Sequence, residues 1–257
     1  AQLTWFYDEP LPRPHHLAAY AISRQARAEG FRVLLSGEGG DELFAGYARY
    51  DELGQEMSRT HDTSPLVFAH NRVALPRIAR FFHDRRFGNA YRFWCAERTH
   101  GLDLVNRQLL VDQWTFLQHF LQRSDRMGMA AGVEIRVPLL DLELVKYANG
   151  LPGAEKTSNG ETKKCLRAVA RQAFPGGLAD KPKQGFDMPV GSLLCRGPVA
   201  ELLDDLLLDR PRCAELFDLA GVTETVRSFR AGDNDLWQVV WPLLATELWM
   251  RALKATG

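Results

Sequence analysis

Within residues 32 to 47, RVLLSGEGGDELFAGY, glycines and carboxylates share one short turn. Gly37, Gly39 and Gly40 follow the apolar run Val33-Leu34-Leu35 and precede a helix-forming stretch. A glycine turn between strand and helix points backbone N–H groups outward and suits an anion. Glu38, Asp41 and Glu42 on the same turn would repel one. Two readings stay open. In the first the turn is merely tight, with Asp41 capping the helix and Glu42 set favourably against its dipole. In the second the acids and the N–H groups share a magnesium–phosphate complex, because Mg²⁺ takes one or two carboxylates together with phosphate oxygens. Asp41 would then meet the metal, and Glu38 would serve as an acid or base. Neither G-x-G-x-x-G nor the Walker lysine pattern is present, so the turn alone does not decide.

Two other polar constellations stand further along. GVEIRVPLLD places Glu134 and Arg136 on one face of an extended segment, among Val133, Ile135 and Val137. They form either a structural ion pair that fixes a corner before Pro138, or a device that orients a charged substrate or the glycine turn. NGETKKCLR puts Lys163 and Lys164 in the first turn of a helix, the unfavourable end for a cation. DKPKQGFDMPVG is a basic, proline-bounded loop with Lys181, Lys183 and Gly185. Ordinary solvent-exposed lysines explain both segments. So does a pair of cationic arms that hold a pyrophosphate leaving group.

The elements that must position these residues are mostly helical. A helix over residues 15–29 follows Pro14, with Leu17, Tyr20, Ala21 and Ile22 as its apolar side and Gly30 as its stop. Residues 31–35 read as a strand and 41–50 as a helix. PLVFAHNRVALPRIARFF contains two helical pieces broken near Pro76. Leu109, Leu110, Trp114, Leu117 and Phe120 recur at helical spacing, and Asp141 caps a helix ended by Gly150. Residues 161–174 form another helix, and the tail carries a strong amphipathic one bent at Pro242. The expected fold is α/β, predominantly helical, with one or a few parallel strands. A chain so poor in strands is expected to have others upstream, and it opens Ala1-Gln2-Leu3 without an initiator Met, like a piece of a longer protein.

Composition narrows the classes. The 257 residues are 46% hydrophobic, enough for a substantial core. Lys+Arg and Asp+Glu both total 32, and a net charge of zero argues against general nucleic-acid binding, with room left for local basic clusters. No apolar run approaches the roughly 20 residues of a membrane span, and no signal sequence opens the chain. Cys95, Cys165, Cys195 and Cys213 lack CxxC spacing, which argues against a zinc cluster or disulfide framework and for a reduced, cytoplasmic setting.

Taken together, these segments resemble the asparagine synthetase (glutamine-hydrolysing) family. LLSGEGGDELFAGY resembles a signature of its synthetase domain, and SDRMGMAAGVEIRVPLLDLELVKYA a second one. KKCLR and KPKQGFDMPVG are similar to its later lysine-bearing segments, FYDEPLPRP to its opening motif, and LWQVVWPLLATELWMRAL to its closing helix. The likeness runs through nearly the whole chain in the family's order. It implies a partial adenine-nucleotide alpha-hydrolase-like (ATP pyrophosphatase) domain over residues 1–257. It also implies ATP, Mg²⁺ and aspartate as ligands. In the family the aspartate side chain attacks the α-phosphate of ATP, giving β-aspartyl-AMP and pyrophosphate, and ammonia then displaces AMP. By this resemblance the turn at Ser36, Gly37, Gly39 and Gly40 touches the nucleotide, Asp41 binds magnesium and Glu38 serves intermediate formation and ammonia deprotonation. Lys163 binds the polyphosphate, Glu134 and Arg136 lie near the active site, and Lys183 is a further nucleotide contact.

The resemblance also marks what this chain lacks. The family's glutaminase half begins with cysteine, and its S-G-G-x-D-S pyrophosphatase loop lies upstream; neither is present here. The segments that carry them are the expected partners, along with a homodimer mate, and the 257 residues are expected to be inactive alone. Three rivals remain: a β-lactam synthetase relative, a lasso-peptide cyclase relative, and a non-catalytic split partner. Glu38 favours the ammonia-using branch, since β-lactam synthetases typically carry tyrosine there.

Overall fold

The computed structural model describes residues 2–53, 89–174, 176–181, 185, 188–209 and 211–254. The helical pieces expected around Pro76 and the side chain of Lys183 lie outside them. The described chain is mainly helical: α1 (Gln2–Tyr7), α2 (His15–Ala28), α3 (Gly40–Phe44), α4 (Asn89–Arg98), α5 (Leu104–Asp112) and α6 (Gln118–Ala130). After them come α7 (Leu142–Gly150), α8 (Gly153–Lys156), α9 (Lys164–Ala173), α10 (Val190–Leu194), α11 (Gly197–Leu207), α12 (Leu219–Arg230) and α13 (Trp237–Lys254). Two strands, β1 (Val33–Leu35) and β2 (Glu134–Arg136), make a parallel pair in the register Val33↔Glu134, Leu34↔Ile135 and Leu35↔Arg136.

Helix α2 ends as its sequence predicts. Gly30 turns left-handed (φ 93°), its N–H donates to Arg27 O and the N–H of Phe31 to Ala26 O, which together close a Schellman cap. Its buried side meets the expected one only at Tyr20, however. Leu17 and Ile22 are exposed, while His16 and Ser23 are buried, with Ala19 and Tyr20 packed beside them. Ser23 Oγ satisfies itself on Ala19 O, and His16 Nδ1 on the carbonyl of Arg13, so polar residues fill the face against α6 without unmet bonds at those atoms.

The long helix expected from periodicity is continuous from α5 into α6, but it passes through a π turn at Gln113–Leu117. Such a turn re-aims side chains. Here Gln113 Nε2 reaches Glu42 O at 3.2 Å and Asn149 Oδ1 at 3.0 Å, tying α3 and α7 to the bulge. Farther along, a Cβ on Gly128 would lie 2.7 Å from Val133 O, so glycine lets β2 fold back closely against α6.

Helix α3 is shorter than the expected 41–50 helix. Ala45 adopts φ 57° and stops it, and a new helical turn starts at residue 48. Leu43 and Phe44 are buried with Ala148, against Leu140, Leu144, Val145 and Leu166. The glycine turn is therefore seated on α7 and α9. The largest apolar cluster lies elsewhere, formed by α10 to α13 around Leu203, Leu207, Val226, Phe229 and Val240. Pro242 sits inside α13 as expected.

Candidate functional site

Strand β1 delivers the turn. The N–H of Ser36 continues the ladder by donating to Arg136 O at 2.8 Å, and the chain then leaves the sheet. The three glycines there have different reasons to exist. Gly39 has φ 87°, and a Cβ on it would overlap the side chain of Leu140. A Cβ on Gly40 would lie 2.9 Å from Leu139 Cδ1. Both are pressed against the turn Pro138–Leu140, so packing alone accounts for them. Gly37 differs: a Cβ there meets nothing within 4 Å. Its side of the turn is open.

Glu38 and Asp41 leave the turn three residues apart and engage different elements. Glu38 Oε1 accepts from Arg123 Nη2 and from Ser124 Oγ, each at 2.7 Å, both on α6. The side chain is only 13% exposed, and its Oε2 is buried with no hydrogen-bond partner among the described residues. Arg123 in turn lies 4.8 Å over the ring of Phe120. Asp41 instead pairs with Lys163 Nζ at 2.8 Å. The N-cap of α3 is Gly39, not Asp41 as expected, and the Asp41 carboxylate is turned toward Lys163. A Cβ on Gly46 would overlap both Asp41 Oδ1 and Lys163 Cε, which makes glycine necessary where the pair passes.

Behind the turn lies a buried polar web. Glu42 is 2% exposed and accepts from Tyr47 Oη at 2.7 Å. Burial pushes the Glu42 carboxyl above its ordinary range, and burial with the neighbouring Glu42 raises Tyr47 as well. Arg49 stacks on Tyr47 and Tyr50 and bonds Asp112, which also accepts from Tyr50 Oη at 2.6 Å. Glu42 is thus a structural acid rather than a partner of the α3 dipole alone.

The lysines also divide. Lys163 is not in the first turn of its helix but is the N-cap of α9, held at φ 53°. That left-handed corner turns its side chain to Asp41, whereas Lys164 bonds Ala154 O and Ser158 Oγ. Lys163 lines a cleft of about 250 Å³ with Gly46, Thr162, Arg167, Ala179 and Lys181. Glu134 and Arg136 do share one face, as spacing predicts, but they pair with each other at 2.9 Å and stay 56% and 61% exposed. The backbone of Arg136, through its carbonyl, meets the start of the glycine turn at Ser36. The structure therefore joins Asp41 to Lys163 and anchors Glu38 beside them on the turn. It leaves the 134–136 pair at the surface.

Arg123, Ser124, Gly46 and Arg167 escaped the reading of the sequence. Ser124 opens the SDRMGMA stretch and Arg123 directly precedes it, yet nothing local announces a carboxylate 85 residues away. Among the described residues no group of three His, Cys, Asp or Glu is placed to hold a metal, no disulfide joins the cysteines, and no helix is long and apolar enough to cross a membrane.

The family model described as asparagine synthase matches residues 1–251. The chain belongs to the asparagine synthase family. A putative glutamine-hydrolysing asparagine synthetase of Mycobacterium tuberculosis is 28% identical over 284 residues, covering 96% of this chain and 43% of that protein. Asparagine synthetase 1 of Bacillus subtilis is 28% identical over 226 residues, with 74% of this chain and 35% of that protein covered. A relative named amidase chry2, from Gibberella zeae, is 27% identical over 235 residues, covering 69% and 34%. The chain spans less than half the length of these curated relatives. In this asparagine synthase family member the observed architecture, helices around a small parallel sheet, agrees with the α/β expectation in its coarse form.

Proposed function

We propose that these residues are the C-terminal portion of an ATP-dependent amide-forming synthetase that activates a carboxylate, aspartate in the first instance, as its acyl-adenylate. The glutaminase and pyrophosphatase-loop segments would belong to other parts of the protein. One observation carries this reading: Asp41 and Lys163 meet at 2.8 Å at the end of the glycine turn, where Lys163 Nζ would lie 3.9 Å from a Cβ on Gly40. A carboxylate able to take Mg²⁺ and an ammonium able to take phosphate oxygens stand together, each supplying the charge its ligand needs. Magnesium, when bound, would neutralise the polyphosphate. Asp41 would hold it, with Lys163 directed at the nucleotide; the N–H groups of Ser36 and Gly40 already donate to Arg136 O and Gly37 O, so of the turn's backbone Gly37 and Gly39 would make the contact. The pair must exchange partners on binding, and both side chains are near enough to solvent to do so (18% and 27% exposed).

Glu38 fits the proton chemistry. Arg123 and Ser124 hold one oxygen; the other, Oε2, has no hydrogen-bond partner among the described residues and would take the proton from ammonia attacking the acyl-adenylate once binding uncovers it. Glu134, Arg136 and Lys183 are proposed as further contacts of the same site. The exposed apolar residues Phe31, Val33 and Leu35 on and before β1 suit further strands of such a domain. A second reading is a relative that forms a different amide, since not every similar protein carries the asparagine synthetase name: one is named an amidase. ATP–pyrophosphate exchange by the whole protein tests both. Exchange that requires aspartate supports the first, exchange with another carboxylate the second, and no exchange with any carboxylate contradicts the proposal. The 257 residues alone are expected to give none.

A further inference from the structure

The cleft beside Lys163 takes its lysines from two separate segments. Lys163 ends the loop before α9, and Lys181 follows the turn Leu178–Asp180 beyond it. Helix α9 lies between them in the chain, so continuity alone does not bring the two ammonium groups to one opening. Two arginines one helical turn apart on α9 reach both segments. Arg167 donates through Nε to Thr162 O at 2.9 Å and through Nη1 to Ala179 O. Arg171 donates through Nη2 to Glu161 Oε1 at 2.9 Å and to Asp180 Oδ1 at 2.8 Å.

The two ties differ in kind. Arg171 and its acids are largely exposed, and such pairs hold weakly. Arg167 is half-buried, lines the cleft, and bonds backbone carbonyls, which fixes the path of the chain itself. A planar guanidinium can serve two carbonyls in divergent directions, which a single ammonium does not reproduce.

We infer that Arg167 is a positioning residue that ties the Lys163 corner to the Lys181 turn, so that both lysines face one cleft as a clamp for a polyphosphate anion. This rests on the reading of the cleft given above, and its effect runs through Lys181. Arg171 repeats the tie on the outer side with a smaller share.

Two measurements on the whole protein test it: hydrogen exchange of the 178–181 amides, and calorimetric affinity for inorganic pyrophosphate. Arg167→Gln should speed the exchange and weaken pyrophosphate roughly tenfold, with Arg167→Lys failing to restore either. Lys181→Met should also weaken binding, and the double variant should be weaker than the single ones by much less than their product. Full rescue by Arg167→Lys would overturn the inference, because charge alone would then suffice. So would multiplicative losses, or unchanged exchange in Arg167→Gln while the wild type binds pyrophosphate. A wild type that binds no pyrophosphate, with the exchange effect intact, would instead sink the reading of the cleft and the positioning role with it.

Discussion

The glycine turn and strand β2 each present an acid beside a cation, and the chain treats them oppositely. Glu38 and Arg123 are 13% and 15% exposed and come from elements 85 residues apart, while Glu134 and Arg136 are more than half exposed and pair across two residues of one strand. The first arrangement leaves one carboxylate oxygen buried with no hydrogen-bond partner among the described residues. The second costs little and does little by itself. A pair held by tertiary structure is a better candidate for chemistry than one that spacing produces on its own.

The widest gap between the two regions should show in catalysis. Glu38→Ala and Asp41→Ala in the whole protein are expected to lower kcat for amide formation by at least about 10²-fold. Near-normal turnover in either would remove the turn from the chemistry. Next is stability. Arg123→Met leaves the Glu38 carboxylate buried without its cation, and urea denaturation should show a loss of about 3 kcal/mol. Gly39→Ala forces a side chain onto Leu140 at a left-handed φ and should cost about 2 kcal/mol by the same measurement.

A pH effect sets the turn's surroundings apart. Burial pushes His16 down to about 3, and burial with the Arg123 charge pushes His119 down to about 4. Below the ordinary histidine value of 6.5 the unfolded chain binds protons that the folded one refuses, so stability falls as pH drops from 6.5 toward 4. Each histidine contributes a slope of up to about 1.4 kcal/mol per pH unit. Glu42, raised by burial, works with the opposite sign above its ordinary value. The difference between wild type and His119→Phe isolates the histidine share: stability of the variant should fall less steeply between pH 6.5 and 5, and equal slopes would contradict the assignment. The smallest effect belongs to β2. Arg136→Ala should leave the melting temperature unchanged, and a clear drop would make that pair structural after all.

Much of this was legible locally. The Asp141 cap is made by the side chain itself, on the N–H groups of Glu143 and Leu144, and Gly30 stops α2 as read. The strand–turn–helix order around Gly37 also stands, because short-range sterics decide such features. What escaped depends on distant contacts. The spacing of Leu17 and Ile22 implied a buried stripe, but α6 presents a surface that takes His16 and Ser23 instead. A helix through residue 50 was expected because nothing in AGY shows that the Asp41–Lys163 pair must pass Gly46. Likewise the alternation of Glu134 and Arg136 gave their common face correctly, without telling which side of it is solvent. Lys163 was placed in a first turn, whereas its left-handed N-cap geometry comes from the pairing with Asp41.

The central claim is that the turn carrying Glu38 and Asp41 serves activation of a carboxylate by adenylation. It is tested most directly by supplying the whole protein with aspartate labelled with ¹⁸O in its side-chain carboxylate, together with ATP, Mg²⁺ and ammonia. The account predicts transfer of one labelled oxygen to AMP, lost in Asp41→Ala. Label in inorganic phosphate, or amide formed with unlabelled AMP, would contradict it.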